Sequence, residues 1–390
     1  MDDEAITPEE LQRHLDAGEP VTILDTRNRD EVEAWAIDGP SVERHHAPYA
    51  KFLSAKVTGG AADLLPDDVV EPVIAVCPRG EASDEIAELL RGEGIDAINL
   101  AGGMEGWARV YQYAELPAEA TGDATVLQYR RPSSGCLAYL IVSGAPDEDG
   151  AREAAVVDPL RAFADRYAAD ARERGADLVY AVDTHVHADH VSGVREVADL
   201  TGATPVMAAR AVERGLTFDV ETVADGDTLE VGNATVEVHE TPGHTTGMVS
   251  LRVGDTLLTG DTLFAPGVPR PDLQEGDEGA AEYARELHRT LTERFERFED
   301  DVLVAPGHFT PGGSPAEDGT YTARLGDLRA SLSVFSLDRE AFTERVLADM
   351  PPRPANFETI IATNLGRETL SDDDAFEAEL GPNNCAAAAD

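Results

Sequence analysis

Thr184-His185-Val186-His187-Ala188-Asp189-His190-Val191-Ser192-Gly193 follows an apolar run, Leu178 to Val182, that reads as a buried strand. Alternation along an extended segment puts His185 and His187 on one side, and the turn that follows brings Asp189 and His190 round to an adjacent position. Three imidazoles and a carboxylate so close together make a metal loop. Imidazole suits zinc, copper, iron or nickel, whereas all-oxygen sites suit magnesium or calcium, so a transition metal is the expected occupant.

Three later stretches share a strand-then-turn form. Ala234 to His239 alternates as a strand and breaks at Thr241-Pro242-Gly243-His244. Leu257-Leu258-Thr259-Gly260-Asp261-Thr262 repeats the device with Asp261, and Val302-Leu303-Val304-Ala305-Pro306-Gly307-His308 repeats it with His308. Ligands gathered at strand ends are where an α/β scaffold places a site. This set resembles the metallo-β-lactamase superfamily. The resemblance implies an αββα sandwich with metal ligands at His185, His187, Asp189, His190, His244, Asp261 and His308.

Residues up to about Gln112 read as a separate α/β unit. Val21 to Leu24 and Pro72 to Val76 read as buried strands, the second ending at Cys77, and a helix with an Ile86, Leu89 and Leu90 stripe follows. Ala97 to Leu100 is a further strand. Strands alternating with helices imply a parallel sheet covered on both faces. A thiol between a strand and a helix N-terminus faces unpaired N–H groups and the positive end of the helix dipole, which favour the nucleophilic thiolate. Leu24-Asp25-Thr26-Arg27, the Cys77-Pro78-Arg79-Gly80-Glu81-Ala82-Ser83 loop and Gly102-Gly103-Met104-Glu105-Gly106-Trp107 together look like a rhodanese domain. That resemblance implies a Cys77 persulfide that passes sulfane sulfur, with Arg79 as a substrate contact in place of the arginine that the family often carries where Ala82 stands. The other reading of Cys77 is a buried structural thiol.

The expected division is a rhodanese-like domain over 1–114, a linker over 115–123, a metallo-β-lactamase-fold domain over 124–367 and an acidic tail over 368–390. Within the second domain a polar turn is expected at Ala145 to Ala151, and a helix near Gly279 to Phe298 whose aromatic stripe is core. The tail reads as an acidic helix fragment followed by disorder, with Cys385 incidental. Cys136 opens an apolar strand and is expected as a small buried thiol.

The ligand set serves two chemistries. In one, two zinc ions share Asp261 and a bridging water, held by His185, His187 and His244 on one side and Asp189, His190 and His308 on the other. In the persulfide dioxygenase branch a single iron binds through positions matching His185, His244 and Asp261, leaving open positions for a persulfide sulfur and O₂. The flanks look like that branch: Ser134 to Leu140, Val157-Asp158-Pro159, Arg270-Pro271-Asp272-Leu273-Gln274, and Pro352-Arg353-Pro354 followed by Asn364. Pro269 and Thr310 depart from it, where glycine and tyrosine are usual. The resemblance implies one Fe(II) per chain, against two Zn(II) in the hydrolase alternative. Asp189 joins Cys77 as a catalytic residue, and Arg270 joins Arg79 as a substrate contact. A rhodanese unit makes or receives persulfides and a dioxygenase oxidises them to sulfite and free thiol, so the two domains would share an intermediate. The alternatives are a binuclear zinc thioester hydrolase, similar to hydroxyacylglutathione hydrolase, and a non-catalytic sulfur-binding regulator.

The formal charge is −45, from 76 Asp and Glu against 31 Lys and Arg. Lys51 and Lys56 are the only lysines. Nucleic acid and anionic membrane both need a basic footprint that this chain lacks. The expected partners are a small-molecule thiol persulfide and O₂, and a homodimer is left open. Met1-Asp2-Asp3-Glu4 has neither the basic region nor the apolar core of a signal peptide, which leads to a cytoplasmic expectation. Like charges at this density repel, and salt relieves them by shortening the screening length to roughly 3 Å at 1 M, so the cytoplasm is expected to be a halophile's. The thermal midpoint should therefore rise steeply as salt goes from tens of millimolar towards molar. A midpoint that stays flat in a salt-dependent melting series would show the acidity to be incidental.

Overall fold

The computed structural model describes residues 5–144, 152–310, 313–348 and 350–387. The turn expected at Ala145 to Ala151 lies outside them, as do Met1 to Glu4 and the last three residues. Strands β1 (Ala5–Ile6), β2 (Val21–Asp25), β3 (Val42–His46), β4 (Val73–Val76) and β5 (Ala97–Leu100) form a parallel sheet in the order β1-β5-β4-β2-β3. Alternate residues feed opposite cores. Leu24, Val73, Ala75 and Ala97 meet Phe52, Ile86 and Leu90 on one face, while Val21, Ile23, Ile74 and Val76 meet Leu11, Met104 and Trp107 on the other. With both faces covered, every residue of β2 and β4 is buried, which is why these strands read as unbroken apolar runs.

Two further sheets face each other. One holds β6 (Gln112–Glu115), β7 (Ala124–Arg131), β8 (Cys136–Ser143), β9 (Arg152–Val157), β10 (Ala176–Asp183), β11 (Thr204–Ala208) and β12 (Glu221–Val223), in sequence order across the sheet. The other holds β13 (Thr228–Val231), β14 (Ala234–Glu240), β15 (Val249–Val253), β16 (Thr256–Gly260), β17 (Leu303–Pro306) and β18 (Ala323–Arg324). Val126, Tyr139 and Ile141 of the first interleave with Val236, Leu251 and Leu258 of the second, giving a shared apolar core. The helices Ala164–Glu173 and Val194–Thr201 cover the first sheet outside. Gly276–Arg289 and the wider turn after it cover the second through Leu287, Leu291 and Phe295. The result is the expected αββα sandwich. At one end the sheets are stitched together: Cys136 bridges to His308, Leu137 N–H donates to Gly307 C=O at 2.8 Å, and Val249 N–H donates to Thr184 C=O at 3.0 Å.

Two segments differ from expectation. The stretch expected as a linker begins inside β6, which pairs antiparallel with β7, and continues into the short helix Ala118–Thr121. Leu116, Ala120 and Thr121 are buried, so an apolar anchor among the polar residues fixes the connection to the sandwich. The tail forms the expected acidic helix, Asp372–Ala378, whose Ser371 N-cap accepts from Asp374 N–H, but the residues after it are not disordered. Asn383 N–H donates to Ser134 C=O, Ala387 N–H donates to Val268 C=O, and Cys385 is fully buried. Among the described residues no helix is long and apolar enough to cross a membrane.

Arg131 fastens these parts to one another. Its Nε donates to Ala108 C=O in the first unit and its Nη1 to Glu379 Oε1 in the tail, both at 2.8 Å, while Glu379 Oε2 accepts Val191 N–H beside the metal loop. Both side chains of the ion pair are 1% exposed. Removing one partner of a pair this buried strands the other charge, at a cost of about 3–5 kcal/mol. Glu379→Ala should lower stability by that order in denaturant titrations run at high salt, and the double replacement Arg131→Met with Glu379→Leu should recover much of it. A Glu379→Ala loss below about 1 kcal/mol, the level of a surface ion pair, would show that the pair does not fasten the units.

Candidate metal centre and thiol loop

All seven expected ligands come together where the two sheets are stitched. Each is 6% exposed or less. His185, His187, Asp189 and His190 follow β10, His244 follows β14, Asp261 follows β16 and His308 follows β17. His185, His244 and Asp261 each offer an atom within 4.8 Å of the other two. His185 Nε2 lies 3.9 Å and His244 Nε2 3.7 Å from Asp261 Oδ2, the spacing of ligands that bind one ion at bond lengths of about 2.0–2.2 Å. His185 Nε2 and Asp261 Oδ2 are buried with no hydrogen-bond partner, as is His187 Nδ1. Buried polar atoms without partners are costly, and a cation at their convergence satisfies them. The residues present therefore fit a metal ion.

The other half of the set is bound to itself. His308 pairs Nδ1 with Asp261 Oδ1 at 2.7 Å and Nε2 with Asp189 Oδ2 at 2.8 Å. Asp189 Oδ2 also meets His190 Nδ1 at 3.2 Å and accepts from Cys136 Sγ at 3.1 Å. The electrostatics follow this division. Burial, with the neighbouring imidazoles His187 and His244, drives His185 well below the usual imidazole range, and burial likewise lowers His244. Burial would also lower His190 and His308, but Asp189 outweighs it at His190, and Asp261 with Asp189 outweighs it at His308, raising both. Neutral imidazole is the ligand form, so His185 and His244 stand ready to coordinate.

A second layer orients the first. Asp158 Oδ1 accepts Thr184 N–H at 2.7 Å and lies 3.1 Å from His187 Nε2, while its Oδ2 accepts the Thr184 hydroxyl at 2.9 Å. These contacts turn His187 Nδ1 toward the pocket. Asp158 holds φ +51, uncommon for a residue with a side chain, as strained positions at functional sites are. Asp183 Oδ1 lies 3.7 Å from the same His187 Nε2, and burial raises its carboxyl to about 6. His244 Nδ1 is fixed by Arg270 C=O at 2.7 Å. Asn364 Nδ2 donates to His187 C=O and His190 C=O, and its Oδ1 accepts Ser192 N–H, so one side chain clamps the whole metal loop.

Two expectations are corrected here. Arg270 is 2% exposed and its guanidinium is used up by Asp272 and by the carbonyls of Pro351, Pro352 and Asn384. It anchors the returning tail in place of contacting substrate. Cys385 is not incidental: with Asp261 and His308 it forms a group whose ligand atoms all lie within 4.8 Å of one another. Cys136 is buried as expected, but its contact with Asp189 was not legible, because strand alternation gives a side and not a neighbour.

In the first unit Cys77 sits at the end of β4, 2% exposed, and its Sγ accepts Gly80 N–H at 3.1 Å with the Ser83 hydroxyl 3.2 Å away. Met104 N–H donates to Cys77 C=O and Glu105 N–H to Pro78 C=O. Gly103 (φ +56) must be glycine, since a Cβ there would stand 2.2 Å from Cys77 O. The expected thiol turn at a helix start is in place. Arg79 points outward, 70% exposed, with Nε 3.5 Å from Glu105.

The metallo-beta-lactamase superfamily matches residues 132–308, and the rhodanese-like domain matches residues 7–110. Persulfide dioxygenase ETHE1, mitochondrial, from Homo sapiens is 33% identical over 203 residues, 51% of this chain and 74% of that protein. Hydroxyacylglutathione hydrolase from Methylococcus capsulatus is 40% identical over 163 residues, 41% of this chain and 59% of that protein. The solved metallo-beta-lactamase of Staphylococcus aureus is 25% identical with a TM-score of 0.54, covering 64% of this chain and 74% of that one.

Carboxylates behind a ligating histidine typically set metal affinity by 10- to 100-fold. Asp158→Ala should weaken metal binding by about that factor, read by chelator competition on the purified protein. Unchanged affinity in a folded variant would mean that His185, whose Nδ1 Asp158 reaches through the Thr184 hydroxyl, is oriented without it.

Proposed function

The chain belongs to the metallo-β-lactamase superfamily and carries a rhodanese-like domain ahead of that unit, and on that premise we propose that it is a persulfide dioxygenase with one Fe(II) per chain. It oxidises a low-molecular-weight thiol persulfide with O₂ to sulfite and free thiol. The observation that carries this reading is the unequal state of the two halves of the ligand set. Two histidines and one carboxylate, His185, His244 and Asp261, converge with unpaired atoms, the donor set of non-haem iron oxygenases with open positions. His308, which a second ion would need, has both ring nitrogens engaged by carboxylates. His185, His244 and Asp261 would hold the ferrous ion, which would supply O₂ activation and a binding position for the persulfide sulfur.

The chain's own residues do the rest. Asp158 and Asn364 hold the loop, Arg270 C=O fixes the His244 ring, and Ala188, Phe264, Leu273 and Cys385 form an apolar patch beside the ligands that keeps water from a reactive sulfur species. We assign Cys77 as the carrier of sulfane sulfur in the first unit, supported by its N–H-lined turn. The acidic composition supports a salt-adapted cytoplasmic setting. The second reading, a binuclear zinc thioester hydrolase, draws on specific observations too: Asp189 Oδ1 and His190 Nε2 are also unpaired, and the hydrolase relative is 40% identical over its matched length.

Metal analysis with O₂ uptake on a glutathione-type persulfide separates the readings. Iron near one per chain, with uptake and metal both lost in Asp261→Ala, is expected. Two tightly held zinc ions, hydrolysis of S-lactoylglutathione and no uptake would establish the hydrolase. Cys77→Ser should abolish sulfur transfer from thiosulfate, since a hydroxyl does not ionise where a thiol does, yet leave oxidation of a preformed persulfide intact. Loss of both activities in a folded, iron-loaded variant would make Cys77 an obligatory carrier to the metal.

A further inference from the structure

Resting on the reading of an O₂-consuming metal pocket, we propose a second activity: Cys136, Tyr129 and Tyr113 conduct electrons from thiols at the surface to peroxide in the pocket, making the protein a thiol peroxidase. The line starts at the ligands. Cys136 Sγ is 3.1 Å from Asp189 Oδ2 and buried. In the β7–β8 ladder Arg131 faces Cys136 and Tyr129 faces Ala138, so Cys136 and Tyr129 are diagonal neighbours on one face of the sheet, in one apolar cluster.

From Tyr129 the path runs outward through rings. Its centroid is 5.0 Å from Tyr167, 5.4 Å from Tyr111 and 5.5 Å from Tyr113, all within aromatic contact. Tyr113 is 40% exposed, so the last ring meets solvent. Four of the chain's nine tyrosines, residues 111, 113, 129 and 167, stand in this group. Packing alone needs no phenols, as Phe163 stacking on Tyr111 at 3.9 Å illustrates. The hydroxyls are placed for oxidation. A phenol that loses an electron must also lose its proton, and the Tyr129 hydroxyl donates to buried Asp170 Oδ2 at 2.7 Å. Tyr111 and Tyr167, beside it, share a 2.5 Å hydroxyl contact.

The balance closes with peroxide, the partly reduced form of O₂, as oxidant. Hydrogen peroxide takes two electrons and two protons; its O–O bond breaks and two waters leave. Each electron comes from Tyr129 past Cys136, while the Tyr129 O–H bond breaks and its proton moves to Asp170. Tyr113 then refills Tyr129, which regains its proton from Asp170, and Tyr113 gives its own proton to water. A thiol in solution gives a hydrogen atom to the Tyr113 radical, and the two thiyl radicals formed in two turns couple to a disulfide; the two protons that Tyr113 releases to water match the two that peroxide takes up from it. The net reaction is hydrogen peroxide plus two thiols to two waters and a disulfide.

The test uses the full-length, iron-loaded protein with hydrogen peroxide and no persulfide. Freeze-quench electron paramagnetic resonance should show a tyrosyl signal, and a small thiol should quench it as peroxide is consumed. Tyr129→Phe should lose both the signal and the thiol-driven consumption while keeping persulfide-driven O₂ uptake. Tyr113→Phe should keep the signal but lose its quenching by thiol, and Asp170→Asn, which keeps the phenol, should weaken the signal. No tyrosyl signal in the unmodified protein, or an undiminished one in Tyr129→Phe, overturns the relay even where O₂ uptake on persulfide is normal. A Tyr129-dependent signal in an iron-loaded protein that oxidises no persulfide would overturn the dioxygenase reading and leave the relay standing.

Discussion

The constraint on which the sandwich depends is the electrostatic balance of seven ionisable side chains in one dry pocket. Five imidazoles and two carboxylates closing on each other would be ruinous in an apolar core unless each charge met its opposite or a cation. The observed solution divides the set. Asp189 sits among Cys136, His190 and His308 and neutralises that side, while Asp158 and Asp183 flank His187 from behind. His185 Nε2 and Asp261 Oδ2 of the trio are left unpaired, as are Asp189 Oδ1 and His190 Nε2 on the other side. The stitching of the two sheets through Cys136, Gly307 and His308 then fixes the distance between the halves, because ligands come from both sheets.

Legibility from sequence followed the range of the interactions. Strands and helices with one or two buried faces, such as β2, β4 and the helix Glu81–Gly92, were readable because periodicity is local. The gathering of the seven expected ligand positions was readable because each stands at a strand end where only loop geometry remains to be supplied. Side-chain neighbours were not. That Cys136 meets Asp189, or that Asp158 supports His187, depends on sheet register, which no single stretch encodes.

The tail shows the same limit from the other direction. Its acidity and small residues, Gly381-Pro382-Asn383-Asn384-Cys385-Ala386-Ala387, carry no apolar period, so local reading gives disorder. The segment is held instead by backbone pairing to Val268 and Arg270 and by the bonds of Asn383 to Ser134 C=O, all partners more than a hundred residues away. Arg270 was misread for a related reason. A cation near a substrate mouth suggests an anion, yet its forked donors match a nearby Asp272 and three carbonyls of the returning chain.

Arginine has a further structural use in a chain with only two lysines. Arg27, Arg131 and Arg270 are each buried, and each joins a carboxylate to backbone carbonyls at a junction: the turn after β2, the contact between the units, and the tail. A planar fork satisfies several acceptors at once, which a single ammonium point charge does less well. Salt screens exposed pairs strongly and buried ones little. The buried arginine forks thus hold their geometry where ions do not reach, at the turn after β2, at the contact between the units and in the tail, and leave to the solvent only the repulsion among surface charges.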